Sequence, residues 1–284
     1  MKLQDRRSFL VTLGGAALAL AGVARQGVAS VVGRRRLSRI GMQLYTVRRQ
    51  AMTDLPGTLT QLAKIGYKEI EFWGSFSIGP AEIRRVLDQN GLKSPSVHVG
   101  FPTTPDTYAK IFADAKVMGH EWITVPVPPN GPVATVDDWK HIAKQFNDAG
   151  SRIKAAGFRF AYHNHTGEFK KIGDVVPMEI LLEETDPAVV SYELDLHWAI
   201  AGGADPIELF HRHPKRFKMV HVKDGGGPPD YQQTDVGAGT HPWAKILEVA
   251  HRDGVEHYFV ENDEPADPMA FAKHSYDYLA NLEF

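Results

Sequence analysis

The stretch YELDLHW, residues 192–198, decides the fold, because it has the pattern of a buried strand that becomes polar at its end. Successive side chains of a strand point to opposite faces. Glu193, Asp195 and His197 therefore share one face, and two leucines occupy the other. We expect this run to end one strand of a buried sheet and to direct its polar side chains into a site.

Three other runs share this form: YHNH at 162–165, HVKD at 221–224 and VEN at 260–262. Each offers a histidine or a carboxylate at the end of an apolar strand. A buried ring of such groups costs free energy unless it is compensated, and one divalent cation can compensate several of them. The four runs therefore predict strand ends that meet around one divalent metal ion.

Strand-like and helix-like segments alternate along the whole chain after residue 38. The predicted strands are 39–48, 67–73, 93–99, 121–127, 159–165, 190–197, 217–223 and 258–262, and the predicted helices are 55–65, 80–89, 106–118, 136–156, 176–184, 206–212, 243–252 and 268–282. Eight such pairs predict an α/β fold of a single (β/α)8 TIM barrel over 39–284. An open doubly wound sheet is disfavoured, because the glycines at 225–227 lead into two prolines and not into a helix.

In such barrels the residues at the C-terminal strand ends face the active site. That rule predicts a set of substrate contacts made of polar and aromatic side chains. They are Glu71, Trp73, His98, His165, His197 and Trp198.

The metal must be held by nitrogen and oxygen atoms, because the chain contains no cysteine. A mixed set of imidazoles and carboxylates suits Mn²⁺, Zn²⁺, Fe²⁺ or Co²⁺ better than Ca²⁺, which prefers oxygen throughout. We favour Mn²⁺ as the cofactor.

The first residues have the form of an export signal and not of a folded element. Arg6 and Arg7 precede an apolar run at 11–24 that is too short for a membrane span, and small residues follow it up to Ala29. We predict a twin-arginine signal peptide at 1–29, a linker at 30–38, and export to the periplasm by the twin-arginine translocation machinery. No stable membrane span is expected after cleavage.

The body of the chain is acidic. Residues 1–29 carry four basic side chains and one acidic one, so their removal takes the formal charge from −2 to −5. A nucleic-acid partner needs a basic surface, and we therefore exclude it. The oligomeric state is left open.

From about residue 40 to the C-terminus, the chain resembles the sugar phosphate isomerase/epimerase family, whose superfamily includes xylose isomerase and endonuclease IV. The resemblance rests on YHNH with Glu168 and Phe169 after it, ELDLHW, HVKD, the GAG loop at 237–239 before Trp243, and FVENDEP at 259–265. It implies one metal ligand at the end of each of strands five to eight. The matching residues are His163, Asp195, His221 and Glu261.

The resemblance also implies catalytic roles for Glu261, Glu168 and Lys223. Ketose epimerases of the family carry a glutamate at the position of His163 and pair it with the glutamate of strand eight. Their loop after strand seven contains an arginine, for which Lys223 is the nearest substitute here. Epimerase activity therefore does not transfer directly to this chain.

Three functions stay open on the sequence. The first is an exported, metal-dependent isomerase or epimerase that acts through an enediolate on a non-phosphorylated keto-sugar. The second is a lyase or hydrolase that cleaves a 3-keto-glycoside by metal-assisted β-elimination. The third is a barrel that binds a sugar without turning it over.

Overall fold

A computed structural model describes residues 35–129 and 133–284. The predicted signal peptide and the first part of the predicted linker lie outside the described residues. The remainder of the linker is attached to the C-terminus, because Arg35 and Phe284 exchange two backbone hydrogen bonds of 2.7 and 2.9 Å. Within the described residues, no helix is long and apolar enough to cross a bilayer.

Eight parallel strands form a closed barrel, and this confirms the predicted single (β/α)8 TIM barrel. Closure is shown by β1, which pairs with both β2 and β10. The barrel strands are β1 Gly41–Gln43, β2 Glu69–Trp73, β3 Lys93–His98, β4 Trp122–Val125, β5 Arg159–His163, β6 Ser191–Asp195, β7 Phe217–Val222 and β10 His257–Val260. A two-stranded ribbon of β8 Asp224–Gly225 and β9 Gln233–Thr234 lies in the loop after β7.

Helices follow the strands and surround the barrel. They are α1 Arg48–Thr53, α2 Leu55–Ile65, α3 Pro80–Gln89, α4 Pro105–Met118, α5 Val136–Ala155, α6 Pro177–Glu184, α7 Leu196–Ala201, α8 Pro206–Arg212, α9 Trp243–Asp253 and α10 Pro268–Asn281. The eight predicted helices are all present, and the short helices α1 and α7 are additional. Short 3-10 turns occur at Leu44–Val47 and Gly167–Phe169.

The long helix α5 shows how local sequence sets the element ends. The Thr135 hydroxyl accepts from the backbone N–H of Asp138, and the Asp138 side chain accepts in return from the N–H of Thr135. This reciprocal cap satisfies donors that the first helical turn would leave free. Gly157 follows the helix with a φ of 89°, a conformation that glycine adopts without strain.

Seven of the eight predicted strands end earlier than the sequence suggested, and three of these ends lie at residues of the site. The first strand stops at Gln43, whose side chain accepts from the N–H of Tyr45 and starts a 3-10 turn. The sixth stops at Asp195, whose side chain caps α7, and the fifth stops at His163. The expectation that His165 and His197 continue the alternating strand faces was therefore wrong.

The barrel interior changes from apolar to polar along the strands. Near its lower end Trp122, Ala161, Met219 and Phe259 form a small fully buried cluster. Two positions further along their strands, the last three of these are followed by His163, His221 and Glu261. The polar side chains are therefore gathered at the C-terminal end of the barrel, on an apolar base.

Candidate metal centre

The four predicted ligands come together at the C-terminal end of the barrel. His163, Asp195, His221 and Glu261 are all buried, and one donor atom of each lies within 4.8 Å of the others. We call this set the ligand quartet. His221 Nδ1 lies 2.7 Å from Glu261 Oε2, and His163 Nε2 lies 4.0 Å from Asp195 Oδ2. The strand register explains the proximity, because Asp195 pairs directly with His221 across β6 and β7.

The donor atoms of the ligand quartet fit a divalent cation. Asp195 Oδ2 is buried and accepts no well-aligned hydrogen bond among the described residues, and the cation nearest to it is Lys223 Nζ, at 3.0 Å. Two carboxylates neutralise a 2+ charge, and two imidazoles complete a set that suits Mn²⁺, Zn²⁺, Fe²⁺ or Co²⁺. The preference for Mn²⁺ stays a prediction.

The two histidines of the quartet differ in charge. Burial, together with the nearby His221, lowers the pKa of His163 to about 3, so its ring is neutral. Burial also opposes protonation of His221, but Glu193 and Glu261 outweigh it and raise the pKa of that ring well above its ordinary value. A metal that binds at His221 would therefore displace a proton.

Lys223 lies directly beside the ligand quartet. Its Nζ is 3.0 Å from Asp195 Oδ2, 2.9 Å from Glu261 Oε2 and 3.1 Å from Asp263 Oδ2. Burial alone would lower the pKa of Lys223, but these carboxylates outweigh burial and raise it far above the ordinary value. In the metal-free protein Lys223 is thus a cation that can donate hydrogen bonds and stabilise negative charge.

A second group of polar side chains lies beneath the ligand quartet. We call Glu71, Glu193, His98 and Gln43 the deep layer. His98 Nε2 lies 2.6 Å from Glu193 Oε2 and 3.3 Å from Glu71 Oε2, and the Gln43 amide donates to Glu71 Oε2 at 2.8 Å. His98 and Glu193 also form, with His163 and His221, a second set of donor atoms within 4.8 Å of one another.

The two carboxylates of the deep layer influence each other. Burial, and then the negative charge of Glu193, raises the pKa of Glu71. Burial opposes protonation of His98, but Glu71 and Glu193 outweigh it and raise the pKa of that ring. The other oxygens of Glu71 and Glu193, both Oε1 atoms, are buried and accept no hydrogen bond within the described part of the chain.

Two of the predicted substrate contacts, Glu71 and His98, belong to the deep layer. Glu71 is fully buried and hydrogen-bonded to Gln43 and His221. His98 is occupied by Glu193 and Glu71. Their contact with a substrate stays a prediction, and the contacts shown by the structure are with other protein side chains.

Trp73, His165 and Trp198 lie nearer the solvent. Trp73 is half-buried and meets Tyr45 edge-on at 5.7 Å between ring centroids. His165 is exposed, and its ring lies 5.1 Å from that of His163. Trp198 places its ring 5.1 Å from Lys223 Nζ. These positions are compatible with the predicted role of substrate contacts.

His197 is placed differently from the sequence expectation. It is fully buried on α7, and its Nδ1 lies 3.0 Å from His241 Nε2. Its Nε2 has no hydrogen-bond partner among the described residues. Its contact with a substrate stays a prediction, and the early end of β6 places this side chain against His241 in the loop before α9.

Glu168 is not brought into the ligand quartet. One of its oxygens accepts from the Tyr162 hydroxyl, and the other accepts from the backbone N–H of His165 at 2.9 Å. Burial raises the pKa of this carboxyl group. Its predicted catalytic role is untested, and its present contacts stabilise the turn after β5.

Sequence reasoning missed Gln43 and His241. Gln43 ends β1 and contacts the deep layer, but the predicted first strand ran to residue 48 and hid that strand end. His241 lies in the loop before α9, where no strand periodicity marks a position. The strand-end rule would have found Gln43 if the start of the 3-10 turn had been recognised.

Comparison with known proteins places the chain in a family. Residues 59–282 match the xylose isomerase-like TIM barrel family, and the chain belongs to it. A solved structure of a sugar phosphate isomerase/epimerase from Parabacteroides distasonis is 27% identical with a TM-score of 0.72, and the match covers 90% of this chain and 96% of the other.

Two curated relatives are similar at low identity. An inosose dehydratase of Geobacillus kaustophilus is 25% identical over 60% of this chain and 65% of its own length, so the match spans less than two thirds of that enzyme. The rhizopine catabolism protein MocC of Rhizobium meliloti is 24% identical over 81% of this chain and 82% of its own length.

Proposed function

We propose that the chain is a metal-dependent enzyme that removes a proton next to the carbonyl group of a keto-sugar or keto-polyol, with β-elimination as the overall reaction. The family and the similarity to an inosose dehydratase support a carbohydrate substrate. The sequence alone favoured isomerisation or epimerisation. The arrangement of acid–base groups moves our preference to elimination.

The observation that carries this proposal is the contact between Glu261 and Lys223. Their charged atoms lie 2.9 Å apart beside the ligand quartet. The Glu261 side chain is 7% exposed, whereas those of Asp195 and Glu193 are 0% exposed. Glu261 is therefore the carboxylate of the quartet with an edge toward an incoming substrate, and a cation lies next to it.

These two side chains can perform a syn-elimination. Glu261 accepts the proton from the carbon next to the carbonyl and, as the carboxylic acid, returns it to the leaving oxygen. Lys223 donates a hydrogen bond that stabilises the charge on that oxygen while its bond to carbon breaks. The products are water or an alcohol and an unsaturated ketone, so protons and electrons balance. A divalent cation bound at the ligand quartet would polarise the carbonyl group of the substrate.

Epimerisation needs a second proton-transfer group on the opposite face of the substrate. The position that supplies it in ketose epimerases is occupied here by His163, whose Nδ1 lies 3.1 Å from Glu193. As a metal ligand, His163 would have no free lone pair to accept a proton. Isomerisation, in which a single base returns the proton to the neighbouring carbon, is the second candidate.

The test is to incubate the Mn²⁺-loaded protein in D₂O with a free ketose, an inosose and a 3-keto-glycoside. We expect loss of water or release of the aglycone from one of the last two substrates, without interconversion of the ketose. Glu261→Gln should abolish this reaction, and Glu264→Gln is the matched control, because Glu264 is an exposed carboxylate in the same loop.

Two results would overturn the proposal. Interconversion of the ketose without elimination would assign an isomerase or epimerase. Binding of a substrate with neither elimination nor deuterium incorporation would assign a sugar-binding barrel.

Export is part of the proposal and rests on residues 1–29, which lie outside the described residues. The support is the pair Arg6 and Arg7 before the apolar run. Changing both arginines to lysine keeps the charge and should retain the protein in the cytoplasmic fraction of the host. Unchanged delivery to the periplasm would rule out the twin-arginine route.

A further inference from the structure

The two ring nitrogens of each quartet histidine face different layers. His163 directs Nδ1 to Glu193 Oε2 at 3.1 Å and Nε2 toward Asp195. His221 directs Nε2 to Glu71 Oε2 at 2.7 Å and to Glu193 Oε2 at 3.3 Å, and Nδ1 toward Glu261. Each ring thus has one nitrogen on the side of the quartet carboxylates and one on the side of the deep layer.

A neutral imidazole has one N–H and one lone pair. A metal ion takes the lone pair, so the other nitrogen must carry the hydrogen and needs an acceptor. Ionised carboxylates are acceptors only, and they fix the orientation and the tautomer of ligand histidines in many metal sites.

We infer that Glu193 and Glu71 are positioning residues that determine which ring nitrogens hold the metal: Nε2 of His163 and Nδ1 of His221. This inference rests on the metal centre of the proposed function. It gives the deep layer a role that does not depend on contact with a substrate. It also explains why two carboxylates are buried below the ligands.

The surroundings of Glu71 support the same orientation. The Gln43 side-chain oxygen accepts from the N–H of Tyr45 at 3.1 Å, which turns its NH₂ group toward Glu71. Glu71 Oε2 therefore lies among donors, from Gln43 and from His221. On the other side, His98 Nε2 lies 2.6 Å from Glu193 and holds that carboxylate in place.

The alternative is that the deep layer itself binds a metal, through His98, His163, Glu193 and His221. That ion would need Nδ1 of His163 and Nε2 of His221, the two nitrogens that must carry hydrogen if the ligand quartet is occupied. The quartet is favoured because it offers a 2+ ion two carboxylates, Asp195 and Glu261, whereas the second set offers one carboxylate with three imidazoles.

The first test is a crystal structure of the wild-type protein loaded with Zn²⁺ or Mn²⁺, with the metal content measured on the same sample. We expect one ion per chain, bound to His163 Nε2 and His221 Nδ1. An ion bound to His98 and Glu193, or two ions per chain, would overturn the inference. This test does not depend on whether any variant folds.

The second test uses Glu193→Gln and Glu71→Gln, with metal affinity measured by competition with a chelator. We expect affinity about 10- to 100-fold weaker than that of wild type, as is typical for partners of ligand histidines. Nitrogen-15 NMR of the Zn²⁺-loaded histidines should show Nδ1–H on His163 in the wild type and a mixture of tautomers in Glu193→Gln.

Glu69→Gln is the matched control. Glu69 is a buried carboxylate on the same strand as Glu71 and lies 2.8 Å from a ring nitrogen of His257, away from the ligand quartet. The Glu69→Gln substitution should leave metal affinity within about two-fold of wild type, because Glu69 is not a partner of a ligand histidine. Equal affinities for Glu193→Gln and Glu69→Gln would contradict the inference.

The outcomes separate the two proposals. If the wild-type chain binds no divalent ion, the metal-dependent function fails and this inference fails with it. If it binds one ion at the quartet with an affinity that Glu193→Gln and Glu71→Gln leave unchanged, only the positioning role fails.

Discussion

At the scale of single residues, Lys223 is a buried cation surrounded by carboxylates. A buried ammonium group lies within 3.1 Å of three different carboxylates and at 5.1 Å from the Trp198 ring. Removal of one partner from a buried ion pair leaves an uncompensated charge. Lys223 therefore stabilises the protein in the absence of metal as well as serving the proposed reaction.

We predict that Lys223→Met lowers the free energy of unfolding of the metal-free protein by about 3–5 kcal/mol. A bound divalent cation would replace the lost positive charge, so the difference from wild type should shrink after metal loading. Urea unfolding with and without metal measures both effects.

Lys218→Met is the control for this prediction. Lys218 lies 3.9 Å from Glu256 in a partly exposed pair, which contributes little. A metal-free Lys223→Met protein as stable as Lys218→Met would contradict the compensating role of Lys223.

At the scale of elements, the sequence identified the strands and helices better than it identified their ends. The alternation of apolar runs with helical segments was sufficient to predict the barrel, because eight strand–helix pairs have few other arrangements. The ends depend on single side-chain hydrogen bonds, such as those of Gln43 and Asp195, which hydrophobic periodicity does not reveal.

The site shows the same division. Position at the strand ends predicted that four strands meet at one site, and the family resemblance selected the four residues of the ligand quartet. The contacts of Glu193 required the register between neighbouring strands, in which His163 pairs with Glu193. The side chains of His98 and Glu71 come from β3 and β2, which are not neighbours of β6 in the barrel. A local sequence pattern does not show that they contact Glu193.

Asp195 has two tasks at the junction of β6 and α7. Its Oδ1 accepts from the N–H of Trp198 at 2.9 Å, and its Oδ2 lies 4.0 Å from His163 Nε2 and 3.0 Å from Lys223 Nζ. Asparagine and aspartate are about equally good helix caps. The two oxygens therefore allow the tasks to be separated by substitution.

We predict that Asp195→Asn keeps the cap and loses most of the metal affinity, because a neutral amide replaces a charged ligand. Asp195→Ala should lose the affinity and a further ~1 kcal/mol of stability relative to Asp195→Asn, through the missing cap. Metal titration and urea unfolding measure the two quantities. Metal affinity of Asp195→Asn equal to that of wild type would remove Asp195 from the quartet.

At the scale of the whole molecule, acid stability should depend on His120, which precedes β4 and is not a member of the ligand quartet. This histidine is buried, and its Nδ1 lies 2.8 Å from the backbone oxygen of Ser94. Burial lowers its pKa from 6.5 to about 4. Below pH 6.5 the unfolded chain takes up the proton first, so stability that is complete above pH 6.5 is lost progressively down to pH 4.

The loss from His120 amounts to roughly 3 kcal/mol across this range. We predict that His120→Gln reduces the dependence of unfolding free energy on pH between 6.5 and 4 by that amount. His274→Gln, at an exposed histidine, is the control. Identical pH dependence in wild type and His120→Gln would show that the buried ring is not responsible.

Metal binding should also raise the thermal stability of the whole barrel. Binding to the folded state alone adds about 2.7 kcal/mol when the free ion is at 100 times its Kd. For a domain of this size, that corresponds to a rise in Tm of roughly 5–10 °C. We predict this shift with Mn²⁺ in calorimetry, its reversal by EDTA, and a smaller shift with Ca²⁺. An unchanged Tm would contradict a metal site that forms only in the folded protein.

The central claim is that the ends of four neighbouring strands hold one catalytic metal ion. Metal analysis of His221→Ala tests it most directly, with His257→Ala as the control, because His257 is a buried partner of Glu69 outside the quartet. We predict one ion per chain in wild type and in His257→Ala, and none in His221→Ala after the same loading and washing. Wild-type metal content in His221→Ala would contradict it.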